Sequence, residues 1–506
     1  MKRVLIRALF YFQYVLTYRK KYDIILTMIC TKGLNSMDRF DAIIAKIDSF
    51  VWGLPLIILI LFCGALLTIR TRGVQIRHLG KALKYTFSNE DSGEGEVSSF
   101  ASLCTALSAT IGTGNIVGVA TAIAIGGPGA LFWMEFAALF GMATKYAEGL
   151  LAVKYRVTGS DGHMLGGPFY YIENGMGKGF KWLGKLFAVF GVLAGLMGIG
   201  TITQVNGITS AANNFFDPNA VHTVEIFGAE YTLAQVIAGA VITVCTALIL
   251  IGGLKRIATA SEIIVPAMAV IYIVCCLIII FGHLSEIPTA IKAVFEGAFG
   301  MRAAAGGAAG AIFAAMQSGI SRGIFSNEAG LGSAPIASAA AKTNEPVRQG
   351  LVTMTGTFID TIIVCTMTGL SIVISGCIET NPDLKGVEIT TSAFKYGLPF
   401  GDNVASFILM ICLVFFAFTT ILGWNYYSER CLAYLTDSKR STILVFRTLY
   451  ILAVFIGPYL TVEAVWNLAN IFNGLMALPN IIALVALSGV VATETKDYFQ
   501  RMKKKS

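Results

Sequence analysis

The chain has 506 residues, 55% of them hydrophobic and only 13% charged, with a mean hydropathy of +0.71. Soluble proteins carry about 25% charged residues, so the composition excludes a soluble domain of any size and describes a polytopic membrane protein. The net charge of +8 does not imply a nucleic-acid partner, because residues 1–36 alone carry +6 and the other 470 residues only +2.

Residues 1–36 hold Lys2, Arg3, Arg7, Arg19, Lys20, Lys21 and Lys32 against one acid, Asp23. Their apolar runs are short and interrupted, and no small-residue cleavage pattern follows, so the segment does not read as a signal peptide. Apolar segments of about 20 residues, enough to cross the hydrocarbon core, then follow one another. They lie near 51–69, 99–125, 130–153, 183–212, 232–253, 258–282, 304–325, 349–376, 404–427, 442–460 and 464–492. The expected fold is therefore an all-α polytopic membrane protein with about eleven transmembrane helices; no alternating ten-residue pattern suggests a barrel.

Loop charges supply an orientation. Arg70, Arg72, Arg77, Lys81 and Lys84 follow the first span, and the tail ends Arg501, Lys503, Lys504, Lys505. By the positive-inside rule these face the cytoplasm. Alternate loops carry Asp217, Glu225 and Glu230, then Glu286 and Glu296, then Glu379, Asp383, Glu388 and Asp402. The leading helix then starts outside and the C-terminus is cytoplasmic. That orientation would put the basic segment 1–36 on the wrong side. It is expected to be an upstream extension absent from the functional protein, or a membrane-surface helix.

Ten spans remain after the leading one. Each set of five begins with a Gly-interrupted segment, and an odd number of crossings inverts the second set relative to the first. The expected organisation is a basic extension 1–36, a leading helix and cytoplasmic connector 37–97, a first inverted repeat 98–285, a second 286–495 and a basic cytoplasmic tail 496–506. Two broken helices at matching positions of inverted halves point to a binding site between them.

The first break is Ile111-Gly112-Thr113-Gly114-Asn115, inside TALSATIGTGNIVGVAT. Alone, this stretch reads equally as a small-residue packing face or as a binding break. As a break, it offers the carbonyls of Ser108 and Ile111 to a small cation. The N–H groups of Thr113, Gly114 and Asn115 then open a second half-helix that can hold a carboxylate. The second break is RGIFSNEAGLGS, residues 322–333, where Ser326 and Asn327 supply polar contacts; the plainer reading is a glycine-rich turn. Gln204 and Asn206 lie in an otherwise apolar span and either bond a neighbouring helix or bind substrate. Thr419 and Thr420 are adjacent hydroxyls suited to a hard cation, although threonines in helices often bond back to their own backbone. Trp424, one turn on, can cap a small pocket.

Intramembrane charges are functional candidates. Asp360 is expected to pair with Arg322 or to act as a gate charge. Lys145 and Glu148 have the spacing of an internal ion pair, and Glu135, Arg322 and Glu328 complete the set. The cysteines fall mostly in apolar runs without paired spacing, so they are expected to be buried hydrophobes, not disulfides or metal ligands.

Together ATIGTGNIVGVA, GGPGALFWMEFAALFGMATKYAEG, GGPFYYIENG, RGIFSNEAGLGSAPIASAAA and TTILGWNYYSERC resemble the alanine or glycine:cation symporter family over most of residues 38–495. The resemblance implies a leucine-transporter-type fold, one leading helix plus a five-plus-five inverted repeat. It also implies sodium-coupled import of a small neutral amino acid, alanine or glycine, by a multi-pass protein of the cell (inner) membrane. Sodium would be held by Ser108, Ile111, Thr419 and Thr420, and the substrate carboxylate by Thr113, Gly114 and Asn115. Gln204, Phe325, Ser326 and Trp424 would shape the pocket. No cofactor besides the coupling ion is implied, and no catalytic residue, since no nucleophile with a base and no paired acids are visible. Proton coupling through Asp360 or Glu135 is the alternative; a channel or a membrane sensor is the alternative of another class.

Overall fold

The computed structural model describes residues 36–88, 93–159, 164–226, 229–251, 253–300, 308–460 and 462–505. The expectations for residues 1–35 lie outside the described residues. The described residues are 81% helix. Two short antiparallel hairpins interrupt the helices, pairing Val157–Thr158 with Met164–Leu165 and Thr223–Ile226 with Ala229–Thr232.

A short break at residues 52–53 separates α1 (Ser36–Val51) from α2 (Leu54–Arg70), and residues Ala42–Arg70 form one candidate membrane span. The first break separates α3 (Ser99–Thr110) from α4 (Gly114–Gly126), and α5 (Gly129–Lys154) follows. Then come α6 (Lys181–Met197), α7 (Ile202–Phe216), α8 (Leu233–Leu250) and α9 (Gly253–Gly282). The second break separates α10 (Ala308–Asn327) from the short α11 (Ala334–Ser338). The chain closes with α12 (Pro346–Ser375), α13 (Asp402–Thr436), α14 (Arg440–Ile456) and α15 (Val462–Lys505). Among the described residues nine helices are long and apolar enough to cross a membrane, and ten with α3 and α4 counted as one bent span. The eleventh expected span corresponds to α10. Its Gln317, Ser318, Ser321 and Arg322 make it too polar to meet that test, and its partners explain why it tolerates them.

Burial sorts these helices into an interior and a lipid-facing set. The most apolar stretch of α5 is 83% buried, that of α8 only 22%. α5 packs most extensively on α12 and α10, so these three form the centre. On α8, Ile237, Val241, Val244 and Leu248 are exposed at helical spacing, the stripe expected against acyl chains.

Local chemistry places the element ends. The Ser98 Oγ accepts from the Ala101 N–H at 2.9 Å and starts α3, and the Thr232 Oγ1 does the same for α8 through Gln235 at 3.2 Å; each caps donors that a helix start leaves unpaired. The span expected over 183–212 is one candidate span, Lys178–Phe216, interrupted between α6 and α7. The residues between them, Gly198-Ile199-Gly200-Thr201, are poor helix formers. The kink is held by Tyr450, whose hydroxyl donates to the Gly200 carbonyl at 2.8 Å and to that of Ile421 at 2.7 Å. Further helices, Ile287–Ala298 and Val387–Gly397, occupy segments read from sequence only as acidic loops. The last helix runs on to Lys505, well past the expected span end at 492. Nine of the ten cysteines are described, and all nine are free thiols.

Candidate functional site

At the first break α3 ends because Ile111 turns to extended backbone, φ −75° and ψ 95°. The chain then bends by 53° and resumes as one π-helical turn, Gly114–Gly118, before regular helix. The bend frees backbone groups inside the protein, where each must find a partner. The Gly112 N–H donates to the Asn115 Oδ1 at 2.9 Å, and the Thr113 N–H to the Gln204 Oε1 at 3.1 Å. Gln204 is fixed in turn by its Nε2, which donates to the Ile199 carbonyl at 2.9 Å, in the α6–α7 kink. The Thr420 Oγ1 donates to the Ile111 carbonyl at 3.3 Å and to the Phe416 carbonyl at 3.0 Å.

Close approach explains two glycines here. A β-carbon on Gly112 would lie 2.5 Å from the Thr420 Oγ1 and 2.9 Å from the Gln204 Oε1. One on Gly114 would lie 3.0 Å from the Ser326 Cα and 3.4 Å from the Phe325 Cδ1. The two breaks, more than 200 residues apart in sequence, therefore touch at Gly114.

The second break is built differently. α10 ends at Asn327, and Glu328 takes φ +57°, a left-handed conformation that is uncommon for a residue with a side chain. Gly330 and Gly332 follow at φ +88° and +83°. The Glu328 Oε1 accepts from the Trp424 Nε1 at 2.7 Å, and its Oε2 accepts from the Ser333 hydroxyl. The Asn480 Nδ2 donates to the Gly330 carbonyl at 2.9 Å and to the Glu148 Oε1 at 2.7 Å, and the Tyr171 hydroxyl donates to the Asn480 Oδ1.

One side chain reaches both breaks. Asp360 lies in a π-helical stretch of α12, Phe358–Cys365, the kind of irregular turn found often at functional sites. Its Oδ1 accepts from the Asn115 Nδ2 at 2.8 Å, and its Oδ2 from the Ser326 Oγ at 2.9 Å and the Thr361 Oγ1 at 2.8 Å. The same Asn115 Nδ2 also reaches the Asp360 carbonyl at 3.1 Å. The expected pairing of Asp360 with Arg322 is corrected: Arg322 lies over the Trp466 ring, 4.7 Å from its centroid, and Trp466 packs at 4.9 Å on Phe325. The expected Lys145–Glu148 pair is not a direct ion pair among the described residues. Glu148 bonds Asn480 instead, and the buried Lys145 acts electrostatically on Glu148, Glu328 and Asp360 together.

The remaining candidates for the ion and substrate sites are all buried. Thr420 faces the first break. Thr419, on the adjacent helix position, bonds back to Phe415 and Phe416 at 3.1 and 3.0 Å and meets Met268 of α9. Ser108 bonds the Thr105 carbonyl and lies against Gly423, one turn beyond Thr420. Asn206, placed beside Gln204 in sequence, faces elsewhere and donates to the Leu460 carbonyl at 3.2 Å. It lines a cavity of about 630 Å³ together with Val117, Tyr231, Lys385, Glu388 and Trp466. Trp466, one of its lining residues, is the ring packed on Phe325. Sequence reasoning missed Thr361 and Asn480. Thr361 is one residue from a charge already singled out, whereas Asn480 carries no local signal.

Comparison with known proteins gives one consistent result. The model of the sodium:alanine symporter family matches residues 37–506. An uncharacterized transporter of Haemophilus influenzae is 53% identical over 464 residues, covering 92% of this chain and 97% of its own. The sodium/alanine symporter AgcS of Methanococcus maripaludis is 46% identical over 469 residues, 91% of this chain and 97% of its own. The amino-acid carrier protein AlsT of Bacillus subtilis is 34% identical over 465 residues, 92% and 93% of the two chains.

Proposed function

The chain belongs to the sodium:alanine symporter family and carries out amino-acid:cation symport, and we propose that it imports a small neutral amino acid, alanine or glycine, through the paired breaks. The observation that supports this most is the contact of the two breaks at Gly114, strapped from both sides by Asp360. Irregular backbone is tolerated at membrane depth only where it is buried or lines a cavity, and here two such segments face each other.

In this reading the chain has one leading helix and a five-plus-five inverted repeat of the leucine-transporter type, in the cell (inner) membrane, with the leading helix starting outside. The Ser108 and Ile111 carbonyls with Thr419 and Thr420 hold sodium. Two oxygens at roughly 2.4 Å from one hard cation and at right angles are about 3.4 Å apart, close to the 3.3 Å separating the Thr420 Oγ1 and the Ile111 carbonyl. Thr113, Gly114 and Asn115 receive the substrate carboxylate. For that, the Gln204 Oε1 must yield the Thr113 N–H, so Gln204 is a stand-in that substrate displaces. Phe325, Ser326 and Trp424 bound the side-chain pocket. The 630 Å³ cavity beside Trp466 serves as the approach. Sodium binds one state more tightly than the other and by ordering the first break completes the amino-acid site, so each solute favours the binding of the other.

Uptake of labelled alanine and glycine into proteoliposomes, with sodium and proton gradients imposed separately, tests this. Accumulation under sodium alone is the expected result. Accumulation under protons alone would assign coupling to Asp360 or to Glu135, whose carboxyl oxygens are shut off from solvent. No accumulation of any small amino acid under either gradient would overturn the import of alanine or glycine.

A further inference from the structure

A cluster of basic side chains lies away from the transport site. A pocket of about 660 Å³ opens between the end of α2, the two short helices Val74–Arg77 and Leu79–Thr86, and the last turns of α15. Arg70, Arg72, Arg77, Lys81, Lys496 and Lys503 line it, and among the described residues no acidic one does. Its positive field is felt inside it: burial first, then the charges of Arg77 and Lys81, hold the His78 imidazole below its ordinary value.

The pocket is half apolar. His78 stacks on Phe499 with ring centroids 3.9 Å apart, and the Lys81 ammonium lies 5.6 Å from the Phe499 ring, so the floor is aromatic. One wall is anchored: the Arg70 Nη1 donates to the Ser488 Oγ at 2.9 Å, joining α2 to α15. Immediately before Arg70 comes Ile69, 75% exposed, the last of a stripe with Ile58 and Phe62 that lies on one face of α2. The stripe is where acyl chains lie, and the pocket is at the level where the span ends and headgroups begin.

We propose that this pocket binds the phosphate-bearing headgroup of an anionic phospholipid, whose chains run down the Ile58–Phe62–Ile69 face of α2. A choline headgroup brings its own positive charge and gains little there. An anionic headgroup with a single phosphate matches the excess of cations, and basic pockets at helix ends are a known means of lipid selection. The lipid ties the leading helix to the C-terminal helix, outside the paired breaks.

The test uses the purified full chain and short-chain phosphatidylglycerol, phosphatidylcholine and inorganic phosphate as probes, with binding read by native mass spectrometry and thermal shift. Phosphatidylglycerol is expected to bind roughly tenfold or more tightly than phosphatidylcholine. The variant Arg72→Gln/Arg77→Gln/Lys496→Gln should lose that preference, while the control Lys178→Gln/Lys439→Gln/Arg440→Gln, with the same change of charge, should keep it. If the triple variant does not fold, Lys496→Gln alone, at an exposed position, should still weaken binding by roughly two- to fivefold. Equal loss in variant and control, or no preference over phosphatidylcholine, overturns the site. Displacement of the lipid by inorganic phosphate at equal concentration overturns the lipid assignment in favour of free phosphate.

Discussion

The two breaks solve one problem in opposite ways. The first contributes no charged side chain, and its freed groups are met by partners that bond elsewhere as well: Gln204 through Ile199, Thr420 through its own helix. The second carries Glu328 in a left-handed backbone conformation, pinned by Trp424 and Ser333, with Asn480 gripping the Gly330 carbonyl. Under the proposed function the difference teaches a division of roles: the first break holds exchangeable partners that ligands would replace, and the second is a braced wall.

The largest effect expected of any substitution follows from the one residue common to both. Asp360→Ala strands the Asn115 amide and the Ser326 hydroxyl inside the protein, at a cost of about 1–3 kcal/mol for each unmet group. Uptake should fall below detection, and Asp360→Asn, which keeps the shape, should retain membrane levels while losing most transport. Wild-type uptake by Asp360→Asn would break the comparison at its hinge. Next is Gly114→Ala, which drives a β-carbon against the backbone of Ser326; overpacking of this kind costs about 1–3 kcal/mol. A lowered melting temperature together with slowed uptake is expected, and an unchanged protein would separate the two breaks again.

A smaller effect sharpens the first break alone. Thr419→Ala/Thr420→Ala should raise the sodium concentration for half-maximal uptake by about tenfold, equivalent to ~1.4 kcal/mol, with membrane levels unchanged. Thr420→Ala by itself should account for most of it, since Thr420 is the hydroxyl that reaches Ile111. Unchanged sodium dependence in the double variant would rule out the ion site. The smallest effect belongs to Asn206→Ala, which removes one bond to Leu460. About 1 kcal/mol of stability should be lost with no change in half-maximal alanine concentration.

Much of this was legible beforehand, and the reason is period and propensity. Long apolar runs announced the helices, and glycines placed beside hydroxyls and an amide announced both breaks. Gln204 was found as an amide in an apolar segment, and Trp424 by its spacing from Thr420. What stayed hidden was partnership across distance. Asp360 looked solitary because Asn115 and Ser326 lie 245 and 34 residues away. Arg322 lies over the ring of Trp466, far along the chain. The kink at Gly198–Thr201 was missed because an apolar run does not reveal where a helix yields to a neighbour.

The wide turn around Asp360 has a mechanical consequence. A π-helical stretch is a helix carrying a surplus residue, and such a surplus can migrate along the axis without unfolding it. Passing it from one side of Asp360 to the other turns that carboxylate by about 100°, one residue's angular step. As a hypothesis, α12 is a rotary catch whose slip releases Asn115 and Ser326 in a single motion. Deleting one residue within Phe358–Cys365 should freeze it, leaving a protein that binds alanine and carries none; transport at normal rate by that deletion would sink the idea.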